Sequence, residues 1–418
     1  MQLFLDRRFA IMLALGFSAG VPLPLVAGQV LRQWFTESGL SLGDIGLTAL
    51  IGLAYSLKFL WSPALDTIRP PLLSRLGRRR GWLLLIQPAL ILAILATGFS
   101  DPIADPLRTA LLATVVAFLS ASQDIVVDAF RIEMLEERQQ GYGLACYVWG
   151  YRLALLASGA GTLWLVHALG WGGAYAYAAA LMLVGVAAVL AAREGAAQPA
   201  AVLPWGERLA QSVVRPFTDF MRRPWCLAIL LFIALFKLGE ALAGIMTTPF
   251  YRSLGFSREE VAAVGSVFGL FATLLGALAG GWLVARIGMA RALVVTGLGQ
   301  MLSNLMYVAL AHAGHDMPML WLQVGIENAT DGLADAAFVT YLSSLTSRAF
   351  TATQYALLSS LAAVPLRTLG ASSGWLAQWL GWPDFFLLTT AAALPAMGIM
   401  LFLLAKLPPE PLKEAAIR

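Results

Sequence analysis

The sequence predicts an all-α polytopic membrane protein, with twelve spanning helices in two six-helix bundles. Three observations predict it: the composition, the number of long apolar runs, and a motif that recurs between the halves. Apolar residues make up 59% of the 418 positions and charged residues only 12%, about half the charged share of a soluble domain. A soluble chain of this length has nowhere to hide so much apolar surface. A bilayer accepts it as solvent.

Spanning a hydrocarbon core takes roughly 20 helical residues. Runs of that kind lie near 9–31, 44–66, 82–99, 108–131, 142–167 and 173–192. A second set lies near 225–250, 259–285, 290–312, 318–341, 351–376 and 384–405. Arg7 and Arg8 ahead of the first run resemble the start of a signal peptide. The run continues to about Leu31, too long for a cleaved h-region, and reads as the first helix. Between the sets, 193–224 is polar and broken by Pro199, Pro204, Pro216 and Pro224. The expected division is a bundle at 1–192, a cytoplasmic linker at 193–224 and a bundle at 225–418 with a short tail.

Basic residues set the orientation. With the N-terminus cytoplasmic, the outer segments hold only Arg32, Arg108, Arg252 and Arg258, and the inner segments outnumber them about five to one. Both termini are expected inside. The net charge of +4 is then a topology signal, and nucleic acid is not an expected partner. Cys146 and Cys226, with three histidines, supply neither a disulfide framework nor a zinc cluster, and no cofactor is expected.

The repeat is legible in the fourth helix of each half. Gln123-Asp124-Ile125-Val126-Val127-Asp128 corresponds to Thr330-Asp331-Gly332-Leu333-Ala334-Asp335. The following helix carries an arginine in both halves, Arg152 and Arg367. Two halves so related are the plan of an alternating-access transporter, with its substrate site near the midplane.

A charge inside a bilayer costs several kcal/mol unless it is paired or faces water. Lys58, Asp124, Asp128, Arg152, Lys237, Glu240, Glu327, Asp331, Asp335 and Arg367 fall on the second, fourth, fifth, seventh, tenth and eleventh helices. The third, sixth, ninth and twelfth carry none in their interiors, Arg291 and Asp384 standing at span ends, as expected of helices that lie outermost against lipid. Asp124 and Asp128 share one helix face, which suits proton coupling, with Arg152 as counter-ion. Asp128 is close enough to Arg131 to pair with it instead, so Asp124 is the favoured coupling carboxylate. Lys237 and Glu240, a turn apart, read as a structural pair. Aromatic and amide side chains on the same helices suit sugar rings and hydroxyls. The expected substrate contacts are Tyr55, Lys58, Gln123, Tyr151, Gln29, Glu240, Asn328, Asp331, Gln354 and Arg367.

Several blocks resemble the AmpG muropeptide permeases of the major facilitator superfamily. They are Lys58-Phe59-Leu60-Trp61-Ser62-Pro63, Gly77-Arg78-Arg79-Arg80-Gly81-Trp82-Leu83 and Ser120 through Ala129. Gly150-Tyr151-Arg152-Leu153 and Phe350 through Leu358 add to them. The resemblance implies proton-driven import of anhydro-muropeptides across the bacterial inner membrane, for peptidoglycan recycling and, in some bacteria, beta-lactamase induction. It matches Lys58, Asp66, Gln123, Asp124, Asp128, Arg131 and Arg152 to family positions. Asp66 ahead of the Arg78–Arg80 turn resembles the superfamily's cytoplasmic latch, so Asp66, Arg78, Arg79 and Arg131 are the expected gate. Expected partners are the muropeptide, protons and the lipid bilayer, with the chain a monomer.

Two departures stand out. Many members of the family are longer, and Asp331 and Asp335 fall where small or hydroxyl residues are expected. Related permeases carry siderophores or acyl-coenzyme A, which keeps those solutes as alternatives. A membrane prenyltransferase would need its paired aspartates at one membrane face, beside a basic diphosphate clamp. A non-transporting sensor would need a signalling domain, for which the tail after Lys406 is too short.

Overall fold

The computed structural model describes residues 7–68, 70, 73–135, 140–192, 207, 218, 220–345 and 351–406. The side chains of Asp66, Gln354 and Tyr355 lie outside what is described, as does most of the 193–224 linker. The chain forms two compact helical units, Met1–Arg208 with Phe256–Ser266, and Leu209–Gly255 with Val267–Arg418.

In unit 1 the first span, Arg7–Glu37, is not one helix. It runs as α1 (Arg7–Gly20), a short turn Pro22–Val26, and α2 (Gln29–Glu37). Pro22 and Pro24 supply the break, because proline has no N–H to give the preceding turn. A broken helix in lipid must satisfy its freed backbone groups inside the protein. Tyr175 does so, its buried hydroxyl donating to the Leu25 carbonyl at 2.8 Å. The second span, Leu42–Leu60, is capped by Ser41, whose Oγ accepts the Asp44 N–H at 3.1 Å. It tightens into 3₁₀ turns at Thr48–Gly52 and Lys58–Leu60, around the helical turn α3 (Leu53–Leu57).

Then come α4 (Arg78–Gly98) and α5 (Pro106–Met134). Asp105 caps α5, accepting from the Arg108 N–H at 2.9 Å ahead of Pro106 in the first turn. With 29 residues, α5 is ~43 Å long and crosses the hydrocarbon core completely. α6 (Gln140–Ala154) leads through a π-helical turn, Leu155–Ala160, into α7 (Gly161–Leu181) and α8 (Leu183–Ala191).

Unit 2 holds α9 (Cys226–Leu235), α10 (Leu238–Ser253), α11 (Gly269–Ile287), α12 (Met289–Ser303) and α13 (Leu305–Ala313). α14 (Met317–Ser344), α15 (Thr351–Gly370), α16 (Trp382–Ala392) and α17 (Leu394–Lys406) follow. The α9–α10 span breaks at Lys237, whose backbone leaves the helical region (φ −102°, ψ 15°). Phe232, Phe236 and Phe338 form an aromatic core beside the break, with Phe236 and Phe338 stacked at 4.8 Å.

Nine segments of the described residues are long and apolar enough to span on those grounds alone. The difference from twelve has a physical origin. Cys146–Ala191 is 46 residues long and turns back at Gly170, whose φ of 66° a side chain would resist, so it holds two crossings. α14 and α15 are helices of 28 and 20 residues outside that set. α14 carries Glu327, Asp331 and Asp335 in its interior, which makes it less apolar than the other spans.

The closest packing is through glycine. In unit 1, a Cβ on Gly16 would lie 2.1 Å from the Tyr147 carbonyl oxygen, and one on Gly150 would lie 2.0 Å from that of Leu13. In unit 2, Gly276 and Gly332 stand equally close to the carbonyls of Ala329 and Thr273. Gly16-x-x-x-Gly20 and Gly276-x-x-x-Gly280 are both small-residue ridges of the kind that lets membrane helices touch backbone to backbone. α1 is thereby locked to α6, and α11 to α14.

Gly150→Ala is expected to destabilise the fold by ~3 kcal/mol, from overpacking against backbone that has no room to shift. Gly398→Ala, where nothing lies within 4 Å of the new Cβ, is the control. Thermal unfolding in detergent checks the pair: a large drop in Tm for the first and none for the second.

Candidate functional site

Each unit carries a charged centre within its spans. In unit 1 it is built on α5. Asp124 forms an ion pair with Lys58 at 3.8 Å, their side chains 16% and 36% exposed. Lys58 reaches it from the 3₁₀ turn of the second span, so a lysine on that span takes the place expected of Arg152. Arg152 forms no ion pair among the described residues. The physical reason is reach: the short turn at Lys58–Leu60 sits against α5 and presents the ammonium directly.

Around Asp124 lies a group of polar atoms without protein partners among the described residues. Gln123 is fully buried with both amide atoms unsatisfied, Ser120 Oγ is buried and unsatisfied, and so is Asp124 Oδ1. Ser120 stands one helical turn before Gln123 and Asp124. Buried polar groups are normally hydrogen-bonded, and leaving one unpaired costs ~1–3 kcal/mol. Such a cluster is what a polar solute or ordered water would satisfy. Trp61 borders it, donating from Nε1 to Ser122 Oγ at 3.0 Å.

The remaining expected residues of unit 1 fall into other roles. Asp128, half exposed, pairs with Arg131 at 3.7 Å, as an end charge does. Arg79 is almost fully buried and grips Glu133 through Nε and Nη2 at 3.0 and 2.8 Å, with Arg78 on the same carboxylate at 3.3 Å. The structure thus sets Arg78 and Arg79 against Glu133, tying α4 to α5; Asp66 lies beyond the described side chains. Tyr151 faces Tyr147, with ring centroids 6.3 Å apart, and Tyr55 is half-buried on α3. Gln29 donates from Nε2 to Ser266 Oγ. The segment Phe256–Ser266 is held further by Arg258, which pairs with Glu37 and lies over Trp171. Trp171 in turn stacks on Trp34 at 5.3 Å.

In unit 2 the centre is Lys237, at the break between α9 and α10. Its ammonium touches Glu240 at 2.9 Å, Asp331 at 2.8 Å and Asp335 at 2.5 Å. The expected Lys237–Glu240 pair is present, but as one edge of a larger cluster. Gln300 on α12 donates from Nε2 to Glu240, and to Asp331 at 3.3 Å. The ninth helix, expected to be a plain lipid-facing element, therefore contributes to the centre. Counting charges misses it because an amide carries none; its signal is Gln300-x-x-x-Asn304, two amide side chains on one face of a largely apolar run.

Asn328 does not present a free amide. Its Oδ1 accepts from Thr273 at 3.1 Å, while Nδ2 donates to Glu327 at 2.8 Å and to the Val324 carbonyl at 2.9 Å. It belongs to the α11–α14 seam, because close helix approach brings Thr273 within reach. Arg367 is half-buried on α15. In unit 1 the first aspartate of the pair meets a lysine from the second span of its half, and in unit 2 both aspartates meet a lysine from the first.

The model of the Major Facilitator Superfamily matches residues 9–371. The anhydromuropeptide permease of Escherichia coli strain K12 is 42% identical over 403 residues, covering 96% of this chain and 80% of its own length. The chain belongs to the major facilitator superfamily, among its AmpG-type permeases. A Rickettsia felis chain named as an AmpG 4 transporter is 33% identical, covering 96% of this chain and 98% of its own. A POT family transporter solved in complex with 5-aminolevulinic acid superposes with a TM-score of 0.72 at 14% identity, covering 97% and 96% of the two chains. The nucleoside transporter NupG gives 0.68 at 13%, covering 96% and 99%. At such identities these two share the superfamily fold. Members of the superfamily are permeases, so this chain is a membrane transporter and not an enzyme.

A double-mutant cycle tests the Lys58–Asp124 pair. Lys58→Met leaves a carboxylate without its cation and is expected to lower Tm; adding Asp124→Asn should recover part of the loss. The expected coupling is ~1–2 kcal/mol, read from unfolding of the two single variants and the double.

Proposed function

We propose that the chain imports anhydro-muropeptides across the bacterial inner membrane, driven by the proton gradient, with both termini cytoplasmic. The observation that carries this reading is identity of 42% with the Escherichia coli anhydromuropeptide permease across 96% of the chain. Identity spread over both halves favours a shared solute class more than a local motif would. The unsatisfied face of α5 supports it as well. Gln123 and Ser120 supply amide and hydroxyl partners suited to an amino sugar, and Lys58 beside Asp124 suits the carboxylate of a stem peptide or lactyl group. In this reading Asp124 carries the coupled proton. Lys58 is released to the solute when Asp124 becomes neutral, so proton and solute binding support each other.

Two measurements test it. Vesicles containing the protein should accumulate labelled anhydro-muropeptide, with accumulation abolished by an uncoupler. Unlabelled muropeptide should compete, while a siderophore and acyl-coenzyme A should not; competition by either of the latter would move the chain to those solutes. Asp124→Asn should lose gradient-driven accumulation by at least tenfold yet retain exchange of labelled for unlabelled solute. Full accumulation by that variant would remove the proton from Asp124.

A further inference from the structure

The cluster around Lys237 in unit 2 is unabsorbed by that proposal. It comprises one ammonium and three carboxylates, Glu240, Asp331 and Asp335, all within 2.9 Å of Lys237 Nζ. Asp335 is nearly half exposed, and water can solvate its charge. Glu240 and Asp331 are only 27% and 20% exposed, and one side chain, Gln300, donates to both. With both ionised, this inner part holds two negative charges against one positive charge. A surplus charge inside the hydrocarbon thickness is costly, and two carboxylates that share a donor repel one another.

Two observations independent of the carboxylates say how the surplus is met. A cavity of about 10 Å³ opens beside Glu240 and Gln300, bordered also by Asn304, Phe236, Met301 and Met397. By this measure it is the size of a single water molecule. Asn304 is 4% exposed and its side chain makes no hydrogen bond among the described residues, not even as a cap of α13. An unpartnered amide lining a water-sized space, with a carboxylate and a second amide across from it, gives a water two to four polar partners. The cluster also sits at the break of the α9–α10 span, the kind of discontinuity at which transporters place ion sites.

We propose that this cluster is a proton-binding site. One proton is shared by the Glu240 and Asp331 carboxyls, Lys237 neutralises the remaining charge, and a water held by Gln300 and Asn304 exchanges the proton with Glu240. The inference rests on the chain being a transporter, and neither on its solute nor on the role of Asp124.

The neighbouring charges are few. α14 adds Glu327, one turn before Asp331, and α15 carries only Arg367, in its last turn. α12 carries only Arg291 and α16 only Asp384, both in their first turns. α11 and α17 carry only Arg286 and Lys406, in their last turns.

The test needs no solute. Infrared difference spectra of the purified protein, recorded across a pH titration, should show the carbonyl stretch of a buried carboxylic acid. All spectra are taken in an Asp124→Asn background, which removes the carboxyl proposed above to carry a proton; there the band should be kept, and it should be lost on adding Glu240→Gln or Asp331→Asn. Its persistence in folded Glu240→Gln and Asp331→Asn proteins alike would overturn the proposal. So would its displacement by sodium at constant pH, which would make the occupant a metal ion. Asn304→Leu leaves all four charged groups in place and fills the water space. It should keep the band and slow its exchange in deuterium oxide about tenfold; unchanged exchange would overturn the water's role. Failure of muropeptide uptake with the band intact would reject the proposed solute and leave this site standing.

Discussion

Backbone contact at glycine is the constraint on which the rest of this structure depends. Lipid tails are as apolar as leucine, so no hydrophobic gain drives one membrane helix onto another, and van der Waals contact must hold them. Gly16 and Gly150 let α1 and α6 meet at their main chains, and Gly276 and Gly332 do the same for α11 and α14. The second seam carries Thr273 to Asn328 and holds the helix from which Asp331 and Asp335 project. A single added methyl group at these crossings meets a carbonyl oxygen rather than a side chain that can turn away.

Charge follows from that framework. Both units hold an acidic pair on a long helix and set a lysine against it, and both place that lysine where the backbone departs from regular α-helix. Lys58 begins a 3₁₀ turn, and Lys237 stands at an outright break. Irregular backbone in a membrane is tolerated only where something satisfies it or water reaches it, so breaks and charges gather at the same places. The two centres are nevertheless built differently. Asp124 meets one cation beside one unsatisfied amide and a hydroxyl, an arrangement with polar groups to spare. Lys237 is enclosed by carboxylates and an amide, an arrangement suited to a smaller occupant.

Much of this was legible beforehand. The run of apolar segments, the linker prolines and the Asp-x-x-x-Asp repeat pointed to the superfamily fold, and the blocks around Lys58, Asp124 and Arg152 pointed to the family. Lys237 with Glu240 was readable from spacing, since neighbours one turn apart on a helix must meet. The partners across helices were harder. Spacing makes Arg152 the natural counter-ion of Asp124, yet the structure gives Asp124 to Lys58, and the pairing of Arg79 with Glu133 across two helices is not readable from either segment. Gln300 and Asn304 are not legible in the pattern of charges, because an amide carries none.

Two helical halves in a bilayer were therefore determined by the sequence alone, because apolar length and charge cost act along the chain and need no knowledge of neighbours. Which lysine meets which carboxylate was decided only by tertiary structure. A salt bridge between helices depends on their separation and rotation, and those are set by glycines whose role no single segment reveals. The water-sized space beside Glu240 is of the same kind: it exists only where three helices fail to close completely.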